Sequence, residues 1–219
     1  MNDASDWAEE TEARLLEAAL AQAPRLGWTS RLVAAAARDV GLSTAEAELL
    51  LPHGPRDLAA LLAKRHDRRA LEALACVDPA ALKVRERIRR GVIARCDAAF
   101  EDETATRRWS GFLALPANAP LGLRLAWASA DSLWRWAGDT ATDENHYTKR
   151  ALLTEILVST LAIRFASGAN AAGDHLARRI EAVMAVERWK AGIKPSAAAG
   201  RVAEALGRLR YGRASGSPP

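Results

Sequence analysis

The 219 residues carry a formal net charge of +4, with 49% apolar and 26% charged side chains, the balance of an ordinary folded domain rather than of a disordered or fibrous chain. That length suits one compact domain or a small two-lobed one. The longest uncharged run, residues 109–123, contains Pro116 and Pro120 and falls short of the roughly 20 residues a membrane-crossing helix needs, so no transmembrane segment is expected.

The charge is unevenly spread. From His175 onward nine basic residues face three acidic ones, so this end is +6 and the remainder −2; an anionic partner is expected at the C-terminal end. The opening residues MNDASDWAEE are acidic, without the apolar core of a signal peptide or the Arg-rich character of a transit peptide, which points to a bacterial cytoplasm. Cys76 and Cys96 stand apart with no companion His cluster and read as small core residues rather than disulfide or zinc partners.

Apolar residues recur at helical spacing nearly everywhere and no stretch alternates with period two, so the chain reads as all-α. The first helix is expected over Trp7–Ala23, with Leu15, Leu16, Ala19, Leu20 and Ala23 on one stripe and Pro24 and Gly27 ending it. Thr29 or Ser30 caps a short second helix to Asp39 that stops at Gly41. Ser43 or Thr44 caps a third running to Leu51, and Pro52, Gly54 and Pro55 break the chain. A fourth helix follows Pro55, and Asp78-Pro79 marks the boundary of a first lobe, residues 7–78.

The second lobe, residues 79–172, opens with Val84, Ile88, Val92, Cys96 and Phe100 at i+4 spacing, and the Lys and Arg residues between them are expected on a solvated face. Past Pro116 and Pro120, a helix over Leu121–Ala137 carries two apolar stripes, Leu123, Trp127, Ala130 and Trp134 on one side and Leu125, Leu133 and Trp136 on another. Gly138 stops it, and Thr142 caps a further helix to about Ala166 that is apolar on several sides. An amphipathic helix is expected over residues 173–194, and a basic tail, 195–219, is expected to be partly disordered.

No Glu-x-x-His pair, Gly-x-Gly-x-x-Gly, Walker loop or Gly-x-Ser-x-Gly elbow occurs, so no catalytic residue, metal site or cofactor site is expected. His53, His66, His146 and His175 are scattered and read as surface or satisfied helix residues.

The stretch LLEAALAQAPRLGWTSRLVAAAARDVGLSTAEAELLLPHGPRDLAALL resembles the N-terminal helix-turn-helix of TetR-type repressors in helix and glycine spacing. Duplex DNA demands cationic donors from the recognition helix. This one instead places Glu46 and Glu48 there, so DNA is not an expected partner.

Residues 114–153, ALPANAPLGLRLAWASADSLWRWAGDTATDENHYTKRALL, are similar to the most distinctive segment of the ubiquinone (coenzyme Q) biosynthesis accessory family, that of the ninth coenzyme Q factor. LWRWAGDTATDENHYTKRALL keeps the family's order of aromatic pair, Ala-Gly-Asp, Thr-Asp, Asn, Tyr-Thr and Arg-Ala, with Trp136 where many relatives have tyrosine. The resemblance implies a TetR-like fold without DNA binding, often dimeric. It also implies a bound isoprenoid quinone precursor, presented to the di-iron demethoxyubiquinone hydroxylase.

On that reading Val92, Phe100, Leu123, Trp127, Leu157, Leu161 and Phe165 are candidate walls of a lipid pocket. Aromatics and Arg are enriched at interfaces, which makes Asp131, Trp134, Arg135, Trp136, Asp139 and Tyr147 a candidate docking patch. Ile180, Val183, Met184 and Trp189, with Arg188 and Lys190 beside them, would lay an amphipathic helix on the inner membrane surface. The alternative is a TetR-family regulator binding a hydrophobic effector, and a weaker one is an enzyme without a recognisable motif.

Overall fold

In the computed structural model the described residues are 3–139 and 144–192, with side chains described over 7–139 and 146–185. They hold eight α-helices, one 3-10 turn and no strand, as the periodicity predicts. The chain divides into two compact units, Met1–Ala177 and Arg178–Pro219.

Helix α1, Asp3–Leu26, passes through Pro24 and ends at Gly27, whose φ of 65° suits only a residue without a Cβ. The Thr29 hydroxyl accepts from Leu32 N at 3.4 Å and starts α2, Ser30–Asp39. Helix α3, Thr44–Leu50, opens with a reciprocal cap in which Ser43 Oγ accepts from Glu46 N and Glu46 accepts from Ser43 N. Gly54 and Pro55 then launch α4, Pro55–Ala73.

Leu15, Leu16 and Ala19 of α1 bury against Leu32 of α2 and Leu58 and Leu62 of α4. Two indoles peg this core: Trp28 Nε1 donates to Pro55 O at 3.1 Å and Trp109 Nε1 to Ala59 O at 3.0 Å.

After a 3-10 turn at Pro79–Ala81 comes α5, Val84–Phe100. Ile88, Val92 and Cys96 are buried as their spacing predicts, and burial pushes the Cys96 thiol up to about 11, so it is inert. Cys76 is exposed just after α4, which corrects its reading as a core residue. The basic run of α5 is only partly a solvated face. Arg95 is buried with its Nε 2.5 Å from Asp67, and Arg87 donates to Leu82 O and Ala137 O.

Helix α6, Glu103–Ala114, was not foreseen; it sends Ala105 and Trp109 into the α1–α4 core. Helix α7, Ala119–Trp136, starts with Pro120 in its first turn. Helix α8, Glu144–Gly192, is continuous except at Gly168, whose φ of 84° and ψ of −179° break it. His175 Nε2 lies 2.9 Å from Ser159 Oγ, whereas sixteen residues of straight helix span about 24 Å. The chain therefore doubles back at Gly168, two residues past the expected helix end at Ala166.

By length and composition alone α8 holds a stretch long and apolar enough to cross a membrane. Glu155 and Arg164 interrupt it, so it contains no uncharged run of that length. In unit 1 this helix buries Leu153, Ile156 and Leu157. The expected Thr142 cap and the tail 195–219 lie outside the described residues.

Candidate functional site

The turn after α7 is held from both sides. Arg150, on the second turn of α8 and only 2% exposed, places Nε 2.5 Å from Asp131 and Nη1 3.0 Å from Asp139. Lys149 Nζ reaches the other Asp139 oxygen at 2.5 Å, while the Lys149 carbonyl accepts from Trp134 Nε1 at 3.0 Å. From the α5 side, Arg87 Nη1 donates to Ala137 O at 2.7 Å, next to Gly138 with φ 84°.

Burial by itself would raise the Asp139 carboxyl; hydrogen bonds from Lys149 and Arg150, and their charges, outweigh it and hold the group below its ordinary range. Arg150 is correspondingly raised, its own burial being outweighed by Asp131 and Asp139.

Of the candidate docking residues, Asp131, Asp139 and Trp134 thus face their own chain. Arg135 pairs with Asp131 at 2.7 Å with its side chain 75% exposed, Trp136 is half-buried and Tyr147 is 65% exposed.

The candidate lipid residues fall into separate groups. Val92 and Leu157 are core. Phe100 and Phe165 stack at 4.9 Å, with the Arg164 guanidinium 4.3 Å from the Phe100 ring and that of Arg107 4.9 Å from Phe165. Leu123 is 63% exposed and Trp127 half-buried one turn on, its ring 6.5 Å from that of Tyr147. Leu161 is half-buried.

Leu123, Trp127 and Tyr147 make an apolar ledge on α7 and the start of α8, and Val158 is exposed further along α8. Two clefts among the described residues, about 360 Å³ between α2, α3 and the start of α4 and about 260 Å³ between α4 and α5, include none of these side chains.

Ile180, Val183 and Met184 lie in unit 2, on the described part of its helix; Arg188, Trp189 and Lys190 have helical backbone, and their side chains lie outside the described set.

The sequence reading missed His66. It stands in the register Leu58, Leu62, His66, Ala70, the buried stripe of α4, and is fully buried. Among the described residues neither ring nitrogen has a hydrogen-bond partner, and the buried Thr106 hydroxyl has none either. The ring meets Trp109 edge-on at 5.9 Å. Burial first, then the charges of Arg95, Arg65 and Arg69, push the imidazole down to about 2, so it is neutral. Its i+4 register with two leucines was the available signal.

The family profile described as COQ9 matches residues 119–187, covering α7 and most of α8. The human protein named ubiquinone biosynthesis protein COQ9, mitochondrial, is 30% identical over 166 residues, which is 69% of this chain and 50% of that protein. The Bos taurus protein of the same name is 32% identical over 160 residues, 69% of this chain and 50% of that protein. Xenopus laevis COQ9-B is 31% identical over 168, 69% of this chain and 54% of that protein. The chain spans about half the length of the curated relatives it matches. With the all-helical fold and the clamped turn inside the matched stretch, the chain belongs to the COQ9 family.

Proposed function

We propose that this chain is a non-catalytic accessory protein of ubiquinone biosynthesis, which binds an isoprenoid quinone precursor and presents it to the demethoxyubiquinone hydroxylase at a membrane surface. The observation that carries the reading is a coincidence. The stretch that matches the COQ9 family profile is also the one bearing exposed Leu123, Tyr147 and Val158 and the half-buried Trp127. Contiguous exposed apolar surface marks lipid or protein contact, and each buried CH₂ of a prenyl tail contributes about 0.8 kcal/mol. A second copy of the chain covering part of the ledge makes the homodimer, and the basic helix of unit 2 supplies the membrane contact.

The test is solvent extraction and mass spectrometry of lipid carried by the gently purified full chain. A stoichiometric isoprenoid quinone or precursor supports the reading, and its loss in Trp127→Ser assigns the ledge. Bulk phospholipid alone, or salt-dependent sequence-selective DNA binding, would overturn it in favour of the regulator. Glu46 and Glu48 on α3 weigh against that regulator because carboxylates repel phosphate.

A further inference from the structure

The helix-turn-helix lobe bears none of the ledge, yet α2, α3 and the start of α4 leave a cleft of about 360 Å³ between them. Its cause is side-chain size. The lining positions include Ala34 and Ala37 on α2 and Ala47 on α3, and side chains that stop at Cβ do not reach across to the other helix. Val33, Leu42 and Leu51 keep the lining largely apolar, and Leu49 of α3 is exposed. The volume lies within the range of sites that take a guest, about 300 to 1,000 Å³.

The two walls carry opposite charge. Arg38 lines the cleft on α2 and Glu48 on α3, and Arg31, two turns before Arg38 on the same face of α2, is exposed like it. Among the described residues no ion pair or side-chain hydrogen bond involves Arg31, Arg38 or Glu48, whereas Arg65, Arg68 and Arg69 of α4 all hold carboxylates of the chain. An apolar cleft between unpaired charges of both signs complements a partner that brings the matching counter-charges.

We propose that this cleft is a docking groove for an amphipathic helix of another protein, with apolar anchors at i and i+4 and opposite charges on its two flanks, carboxylates towards Arg31 and Arg38 and a cation towards Glu48. A cleft walled by two helices takes a third by its apolar stripe. Carboxylates two turns apart on that helix, about 10.5 Å, match the spacing of the two arginines along α2. Glu48, with Glu46 on the same helix, sets this partner apart from a nucleic-acid backbone or an anionic membrane, which bring negative charge alone. The groove is independent of lipid carriage, and either can fail without the other.

The experiment titrates the full chain with three labelled peptides of about 15 residues, long enough to form a helix. They share two leucine anchors and differ only in their flanks: Glu on one and Lys on the other, Glu on both, or Lys on both. Fluorescence anisotropy should show the mixed peptide binding most tightly, by roughly two- to fivefold for each flank that gains its counter-charge. A helix lies in a groove in either direction, so this order does not depend on the polarity of the bound peptide. Glu48→Arg should make the all-Glu peptide the tightest. Ala34 is exposed and lines the cleft, so Ala34→Trp fills the space without entering the core and should weaken all three by about tenfold or more.

Failure of the mixed peptide to bind the natural chain, equal affinity for the three, an order unchanged by Glu48→Arg, or binding untouched by Ala34→Trp would overturn the groove. Light scattering of the natural chain and Ala34→Trp tests the other occupant. Equal masses are expected; a smaller mass for Ala34→Trp would mean that a second copy of the chain fills the cleft, and would overturn the proposal.

Discussion

Arg150 and Asp139 stand 3.0 Å apart, guanidinium to carboxylate, and join the first turns of α8 to the turn that ends α7. With Asp131 on the same guanidinium, one nearly buried cation answers two carboxylates on α7 and its outgoing turn. A buried pair of this kind contributes modestly compared with a well-packed apolar replacement, but removing one partner strands the others.

Arg150→Met is therefore expected to destabilise the chain by about 3 to 5 kcal/mol, read as a lower midpoint in urea denaturation at unchanged slope. Asp131→Asn and Asp139→Asn should each cost less, because the guanidinium keeps its second carboxylate. An Arg150→Met variant as stable as the natural chain would remove the clamp from the account.

Stability should fall in acid through His66. Its folded value of about 2 lies far below its ordinary 6.5, so the unfolded chain binds a proton below pH 6.5 that the folded chain refuses. The sign follows: His66's contribution is fully present above pH 6.5 and is lost as pH falls from there towards 2. The slope is about 1.4 kcal/mol per pH unit, or about 2 kcal/mol between pH 6.5 and 5, above the range in which Asp139 titrates. Urea midpoints for the natural chain and His66→Leu across that window check it; parallel pH profiles would refute it.

Gly168 and Gly173 make an internal control. Gly168 has φ 84° and ψ −179°, a region nearly closed to other residues, and an added Cβ there meets nothing within 4 Å. Gly168→Ala should cost roughly 1 to 3 kcal/mol from backbone strain alone. Gly173 sits in regular helix with open space around it, so Gly173→Ala should stabilise by up to about 1 kcal/mol. Thermal melts of the two variants should move in opposite directions.

The ledge makes a different demand. Leu123→Ser and Tyr147→Ser replace exposed side chains and should alter stability by no more than about 0.5 kcal/mol, while the carried lipid falls in extracts of either variant. A large loss of stability would mean that the ledge packs more than its exposure indicates.

Most helices were legible because their boundaries are written in residues with one dominant backbone preference. Thr29, Ser43, Gly41, Gly54 and Pro55 start or stop α2 to α4 where capping chemistry puts them. Helix α6 was missed because its inward stripe is carried by small Ala105 and a single Trp109, too faint a period to stand out. The stretch FASGANAAG reads as loop by its glycines, yet its alanines carry helix on both sides of Gly168.

The site was less legible than the fold. Asp131, Trp134 and Asp139 read as docking residues in the sequence, and the structure engages each of them within its own chain, since a charged residue shows its partner only after packing. Arg150 reads as one more cation in a polar stretch until Asp131 and Asp139 surround it. The seven lipid candidates share apolar character and not a location, because helical spacing assigns a face and says nothing of which neighbour covers it.

The Arg87 contact with Ala137 O has an electrostatic consequence at the end of α7. A helix presents about half a negative charge at its C-terminus, and a guanidinium 2.7 Å from the capping carbonyl neutralises it at the source. Trp136 thus stands beside a helix end whose dipole is answered by a fixed guanidinium, and next to it Arg135 spends its exposed guanidinium on Asp131 of the preceding turn.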